Sequence, residues 1–329
     1  MKRIACVILL IALTLTACGR ESPREATLPA PTQPETVTVD REEMVDGKSL
    51  VIHARVEMPD FDNLEAVTLV FDEETLRRAA EDLVLSRYPD VREQRDEASG
   101  SRGWSVESEN RLSLSLDCFD QGFEAGRLLF LDVSRDRNGS GMGQDDLNAF
   151  TYGYITPHIP TGLEITGREA GEAMWQFLSQ YSCFTYQAWS LRAQDDEAGG
   201  YYQAFLEPQY EGLPVKGKGL RVSACLSEEG VFTFQGVMAL KARSRESVEA
   251  AMTLEAAVEA FREELPWLRG TAVEVVDIRP GYTTHSGYGG EWTLRPAWIF
   301  DYAQTIDQGE TQYGTLTIRM EDGKIQNIR

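Results

Sequence analysis

From Ser49 onward apolar and polar residues change places one by one: Leu50, Ile52, Ala54 and Val56 alternate with Val51, His53 and Arg55. That two-residue period sets one side of a strand against a core. Three stretches follow the helical period instead. Asp72 stands ahead of Leu76, Ala79, Ala80, Leu83 and Val84. Thr166, with Glu169 three residues on, stands ahead of Ala170, Ala173, Met174, Phe177, Leu178 and Tyr181. Thr253 stands ahead of Leu254, Ala257, Val258, Phe261 and Leu265. The spacing i, i+3, i+4, i+7 gathers apolar side chains on one face, and the residue before each run has a side-chain oxygen that can cap the first turn. Each helix is therefore expected to lie on a sheet.

Strand-like runs follow the second and third helices. After the second come residues 185–191, 201–208, 220–226 and 231–237, the last two joined by Glu228-Glu229-Gly230. After the third come 273–278, 292–302, 315–320 and 324–328, closed by Glu321-Asp322-Gly323. Glycine after acidic residues marks a hairpin turn. In the run 315–320, Leu316, Ile318 and Met320 alternate with Thr315, Thr317 and Arg319, which predicts one buried face and one wet face. Tyr201-Tyr202-Gln203-Ala204-Phe205-Leu206 parallels Leu294-Arg295-Pro296-Ala297-Trp298-Ile299, and a turn glycine follows each at the same distance, Gly230 and Gly323. The expected fold is α+β: antiparallel sheets each packed by a helix, in tandem modules. The boundaries it implies are an N-terminal α+β domain over 46–160 and a C-terminal domain over 161–329, with modules at about 161–240 and 250–329.

The helix, the meander, the strand containing Pro296-Ala297-Trp298 and the closing Asp322-Gly323 hairpin resemble the PepSY-type modules of secreted bacterial proteins. In tandem they are similar to the extracytoplasmic YycH/YycI regulators of a sensor kinase. The resemblance implies a fold more than a role. Those regulators carry a transmembrane anchor, and this chain begins differently.

Lys2 and Arg3 precede an apolar run from Ile4 to Leu13, shorter than the roughly 20 residues needed to cross a bilayer. Leu15-Thr16-Ala17-Cys18 then resembles the lipobox of bacterial lipoproteins, which implies a signal peptide over 1–17, cleavage before Cys18 and lipid attachment to its sulfur. Stable anchoring needs more than one acyl chain, which lipoprotein modification supplies. Residues 18–45, with Pro23, Pro29, Pro31 and Pro34, read as a disordered Pro/Thr/Glu-rich tether. The whole chain also resembles uncharacterised lipoproteins of Gram-positive gut bacteria. The implied localisation is the extracytoplasmic face of the cell membrane.

Charge narrows the partners. The 329 residues hold 53 acidic and 32 basic side chains, a net charge of −21. Phosphate backbones and anionic lipid headgroups repel such a chain, which excludes nucleic acid as a partner and leaves membrane contact to the lipid. Beyond Cys6 and Cys18 there remain Cys118, Cys183 and Cys225, an odd number without Cys-x-x-Cys spacing, so any disulfide pairing is open.

Catalytic and metal motifs are few. Asp136-Arg137-Asn138-Gly139-Ser140-Gly141 matches the first half of an EF-hand loop, with Asp136, Asn138 and Ser140 as calcium candidates, but Leu147 stands where the bidentate Glu belongs. A polar turn, with Asn138-Gly139 supplying the positive φ of a tight turn, accounts for the same residues. His53, His158 and His285 have no second ligand at helical or hairpin spacing, and no His-Glu-x-x-His, Gly-x-Ser-x-Gly or Walker loop occurs. Trp189, Tyr201, Tyr202, Trp292 and Trp298 suit either core packing or a sugar-stacking platform. The expectation is thus no catalytic residue, no cofactor and no metal beyond that weak calcium loop. The chain reads as an anchored protein that binds a protein, peptide or glycan at the envelope, with a regulator of a membrane sensor or protease, or a carboxylate-dependent hydrolase, as alternatives.

Overall fold

The first strand, β1 (Thr36–Val45), lies where the sequence pattern predicts tether. It pairs antiparallel along its whole length with β2 (Lys48–Glu57). Its outward positions, among them Asp40 and Glu42, are exposed, whereas Val37, Val39 and Val45 pack against a core. Arg41 pairs with Glu259, and Arg262 Nε lies 3.0 Å from Glu43. Folded structure therefore starts ten positions earlier than the pattern implied. An edge strand presents one solvated face, and acidic residues there mask the two-residue period. These coordinates are a computed structural model; they describe residues 35–329 apart from 110, 134–153, 196–198, 218–219, 250, 287–289, 307–308 and 329. The signal and lipobox with Cys18, and the calcium candidates Asp136, Asn138 and Ser140, lie outside the described residues.

The remaining strands are β3 (Glu65–Phe71), β4 (Gln94–Asp96), β5 (Ser101–Ser108), β6 (Arg111–Phe119), β7 (Arg127–Asp132), β8 (Thr185–Gln194), β9 (Tyr201–Tyr210), β10 (Leu213–Lys216), β11 (Val222–Ser227), β12 (Gly230–Val237), β13 (Leu240–Ser247), β14 (Ala272–Ser286), β15 (Trp292–Thr305), β16 (Thr311–Arg319) and β17 (Ile325–Ile328). One sheet runs β1-β2-β14-β15-β16-β17. β3 and β13 are added along the first residues of β15, and β10 beside the far end of β14. The pairings of β14 with β2 and with β10 are parallel. The other sheet is antiparallel throughout, in the order β4-β5-β6-β7-β12-β11-β9-β8. The β9–β10 hairpin joins the two, so the seventeen strands of the described residues belong to one mixed network. Its turn, Glu211-Gly212, holds both residues at positive φ (51° and 82°), the geometry that matches the twist of a two-residue hairpin.

Helices α1 (Glu73–Ala80) and α2 (Gly167–Ser179) bury their apolar stripes in one core with Leu114, Leu116, Phe130, Tyr202, Ala204 and Phe234 of the second sheet. Helix α3 (Leu254–Glu264) covers the first sheet, where Phe261 stacks on Phe300 with ring centroids 4.8 Å apart. The caps are those the sequence predicts: Asp72 accepts from the Thr75 N–H, Thr166 and Glu169 form a reciprocal capping box, and Thr253 accepts from the Ala256 N–H.

The expected α+β class is nevertheless wrong. Among the described residues seventeen strands stand against three α-helices of 8, 13 and 11 residues, and the fold is mostly β. The tandem modules fail on strand parity. Tyr202, Ala204 and Leu206 face the core under α2, while Trp298 and Phe300 face the core under α3. The sequence alignment sets Phe205 on Trp298, two positions on opposite sides of their sheets. A one-residue slip reverses every side chain of a strand, so an equal spacing of turns does not make the strands equivalent. Nor does position 160 divide the sheets: β3 pairs with β13 and β7 with β12. All described residues fall in one unit, Pro34–Arg329.

Candidate functional site

One face of the β14–β17 meander is polar, and the register shows why. Thr283 stands opposite Arg295, His285 opposite Thr293, Ile299 opposite Thr317, Asp301 opposite Thr315, Ala297 opposite Arg319, and Thr317 opposite Gln326. Directly opposed residues of antiparallel strands share a face. The intervening positions, Ile278, Trp298, Phe300, Leu316 and Ile318, lie in the core under α3. The face with Thr315 and Thr317 is not wet as expected, because both are buried, at 9 and 0 % exposure. β10 lies close against it. A Cβ on Gly281 would stand 2.5 Å from the Pro214 carbonyl oxygen, so glycine is what lets the two strands approach.

At the end of this face where β9 and β10 meet it, charges are paired, and some of them are buried. Lys216 pairs with Glu207, and Arg279 pairs with Asp277 and lies 2.7 Å from Asp301, whose other oxygen accepts from the Thr315 hydroxyl. Asp301 is 2 % and Lys216 6 % exposed. Beside them Arg221 lies 5.0 Å over the Trp189 ring, which meets Phe205 edge-on. The hollow among these groups is about 40 Å³, room for water but not for an organic ligand. A largely buried network in which Lys216, Glu207, Arg279, Asp277 and Asp301 meet counter-charges reads as structural.

Further along the same face a hollow of about 300 Å³ opens, lined by Thr283, His285, Thr293, Arg295, Arg319, Lys324 and Gln326 among others. Its floor is a hydrogen-bonded chain: Thr317 donates to Thr283 at 3.2 Å, and Thr283 donates to the Gln326 side-chain oxygen at 2.9 Å. That bond orients Gln326, and its amide N–H groups meet no acceptor among the described residues. Arg295 gives only Nη1, to Glu321 at 2.6 Å, and the Lys324 ammonium forms no ion pair among the described residues. Arg319 is clamped by Asp322 through Nε and Nη2, which raises the guanidinium and holds the Asp322 carboxyl down at about 2. The pocket is thus rich in donors and holds no carboxylate in its lining.

The sequence candidates fare unevenly. Of the three histidines only His285 reaches this pocket. His53 lies between Asp40 and Glu42 on β1–β2, and His158 lies beside Asp195. The aromatic platform does not form. Tyr202, Trp292 and Trp298 are at most 2 % exposed, and the two indoles donate to the Ala125 and Met252 carbonyls, each at 2.9 Å. Cys118, Cys183 and Cys225 form no disulfide among the described residues, and burial pushes the Cys183 thiol up to about 12. Among the described residues no group of three or more His, Cys, Asp or Glu side chains could hold a metal ion, and no helix is long and apolar enough to cross a membrane. Arg295, Lys324 and Gln326 were missed. Their only signal was the alternation of Thr and Arg with apolar residues, which is also how an ordinary solvated strand face looks.

No protein-family model and no curated protein matches the chain. Among solved structures it is similar to the crystal structure of an uncharacterized protein from Eubacterium rectale, with a TM-score of 0.54 and 13% identity, over 88% of this chain and 93% of that one. At that identity the likeness concerns the fold alone. The neighbour comes from a gut bacterium, consistent with the sequence resemblance to gut-bacterial proteins.

Proposed function

We propose that this chain is a lipid-anchored extracytoplasmic protein, held at the membrane through Cys18, which binds a carboxylate-bearing ligand in the pocket of β14–β17 and carries out no catalysis. The observation behind this reading is the donor set of Arg295, Lys324, Gln326 and His285 on one hollow of a chain with net charge −21. Long-range repulsion works against an anion here, so dense short-range donors are what would hold one. The chain's own carboxylates, Glu321 on Arg295 and Asp322 on Arg319, already occupy part of this donor set, which favours a carboxylate as the group that suits it. The anchor rests on the run from Lys2 to Cys18 and its resemblance to a lipobox.

Calorimetric titration with a galacturonate oligomer, and with the neutral galactose oligomer as control, tests the site. Binding of the acidic oligomer only, weakened roughly tenfold by Arg295→Ala, is expected for a lost charge-assisted contact. Equal binding of both oligomers, or none of the acidic one, overturns the reading. For the anchor, Cys18→Ala is expected to move the protein out of the detergent phase of a phase partition. Retention of mature mutant protein in that phase refutes lipidation.

A further inference from the structure

The second sheet carries another hollow, on the face away from α1 and α2. Gln94, Ser101, Gly103, Ser105, Ser115 and Asp117 line a groove of about 420 Å³ across β4, β5 and β6. The register places Gly103 between Gln94 and Asp117, and Ser105 opposite Ser115. The missing side chain at Gly103 makes room for the carboxylate, since a Cβ there would stand 2.4 Å from Asp117 Oδ1.

The electrostatics of this groove are incomplete. Asp117 is half-buried and has no hydrogen bond or ion pair among the described residues, and burial alone raises its carboxyl. The neighbouring charges are committed elsewhere. Arg95 turns to Asp120 at 3.3 Å, and both oxygens of Asp96 accept from its own turn, from the Ala98 N–H and the Ser99 hydroxyl. The hydroxyls of Ser101 and Ser115 are likewise without partners among the described residues, and Ser105 accepts only a 3.3 Å bond from Gln94. A half-buried carboxylate without a counter-charge is costly, and a cation from outside would relieve it.

We propose that this groove binds a primary alkylammonium group, with Asp117 as its counter-ion and the hydroxyls of Ser101, Ser105 and Ser115 as further acceptors. Three N–H donors match one carboxylate and a ring of hydroxyl oxygens. A calcium ion would take six to eight oxygens, several of them from carboxylates, and among the described lining residues only the Asp117 carboxylate is free. The alkyl part has its own contact: Leu112, 41 % exposed, lies in the lining. A methylene chain ending in an ammonium occurs both in a lysine side chain and in a free diamine.

Titration of the full chain with cadaverine and with Nα-acetyl-lysine N-methylamide tests this, with Nε-acetylated lysine and 1-pentanol as uncharged controls. Both cations are expected to bind with Kd values below about 10 mM and the controls not to bind. Asp117→Asn, which keeps the shape and breaks no hydrogen bond, is expected to weaken binding at least tenfold, and Ser115→Ala by a smaller factor, with both variants melting as the parent does. Tighter binding of cadaverine identifies a free diamine, and tighter binding of the lysine derivative a protein side chain. Unchanged affinity in Asp117→Asn, equal binding of the uncharged controls, or no binding by the parent overturns the proposal.

Discussion

Two hollows on one face of the same strands differ in what their charges do. At one end Arg279 pairs with the buried Asp301 and Lys216 with Glu207, and the hollow beside Lys216 and Glu207 is about 40 Å³. Along the same strands a hollow of about 300 Å³ stays open, where Arg295 and Arg319 hold one carboxylate each and the Gln326 amide N–H groups and the Lys324 ammonium have no partner among the described residues. Both draw on Arg, Thr and Lys, but a carboxylate stands among the lining residues only at the covered end. The difference is made by β10, which crosses at Gly281, brings Lys216 and with it Glu207 of β9, and closes one end. Covered, such a face becomes a set of internal ion pairs. Uncovered, it becomes a place where a ligand can supply the missing partners.

Three substitutions break or sharpen that contrast. The largest effect is expected for Asp301→Ala, which leaves Arg279 facing one counter-charge fewer in a buried setting and strands the Thr315 hydroxyl; chemical denaturation should show a loss of about 3 kcal/mol. The same measurement on Arg295→Ala should show little change, because its exposed pair with Glu321 contributes at most about 1 kcal/mol. Next comes Gly281→Ala. The added methyl meets the Pro214 carbonyl and Ile299, so a loss of about 1–3 kcal/mol is expected from overpacking. If stability is unchanged, β10 does not press on the sheet as described.

The smallest effect concerns Asp322. Its carboxyl is held at about 2 by Arg319, below the unfolded value of about 3.9, so the stability it contributes is present above the unfolded value and lost as pH falls through about 2. Both side chains are partly exposed, so the difference between Asp322→Asn and the parent should be a few tenths of a kcal/mol at neutral pH and vanish in acid. A difference that grows in acid would reverse the assigned sign.

Much of the local structure was legible. Asp72, Thr166 with Glu169, and Thr253 announced helix starts because capping is settled within four residues. Glu228-Glu229-Gly230 and Glu321-Asp322-Gly323 announced turns for the same reason. β13 was illegible: after Leu240 every residue is exposed, and only pairing with β3 makes it a strand. So was the parallel pairing of β2 with β14, whose partners lie more than two hundred residues apart. The proposed sites were less legible still. Asp117 reads in sequence as one acid among 53, and becomes notable only where Gly103 stands opposite it and no cation does.

The sequence by itself determined the periods, caps and turns, and with them which residues of each strand share a face. It also determined the acidic balance and the segment around Cys18. Only the tertiary structure decided which polar face is covered and which stays open, and that these helices and meanders merge into one mostly β network. Periodicity is a property of neighbouring residues, whereas cover depends on a distant strand arriving close enough to exclude water, as β10 does over Gly281.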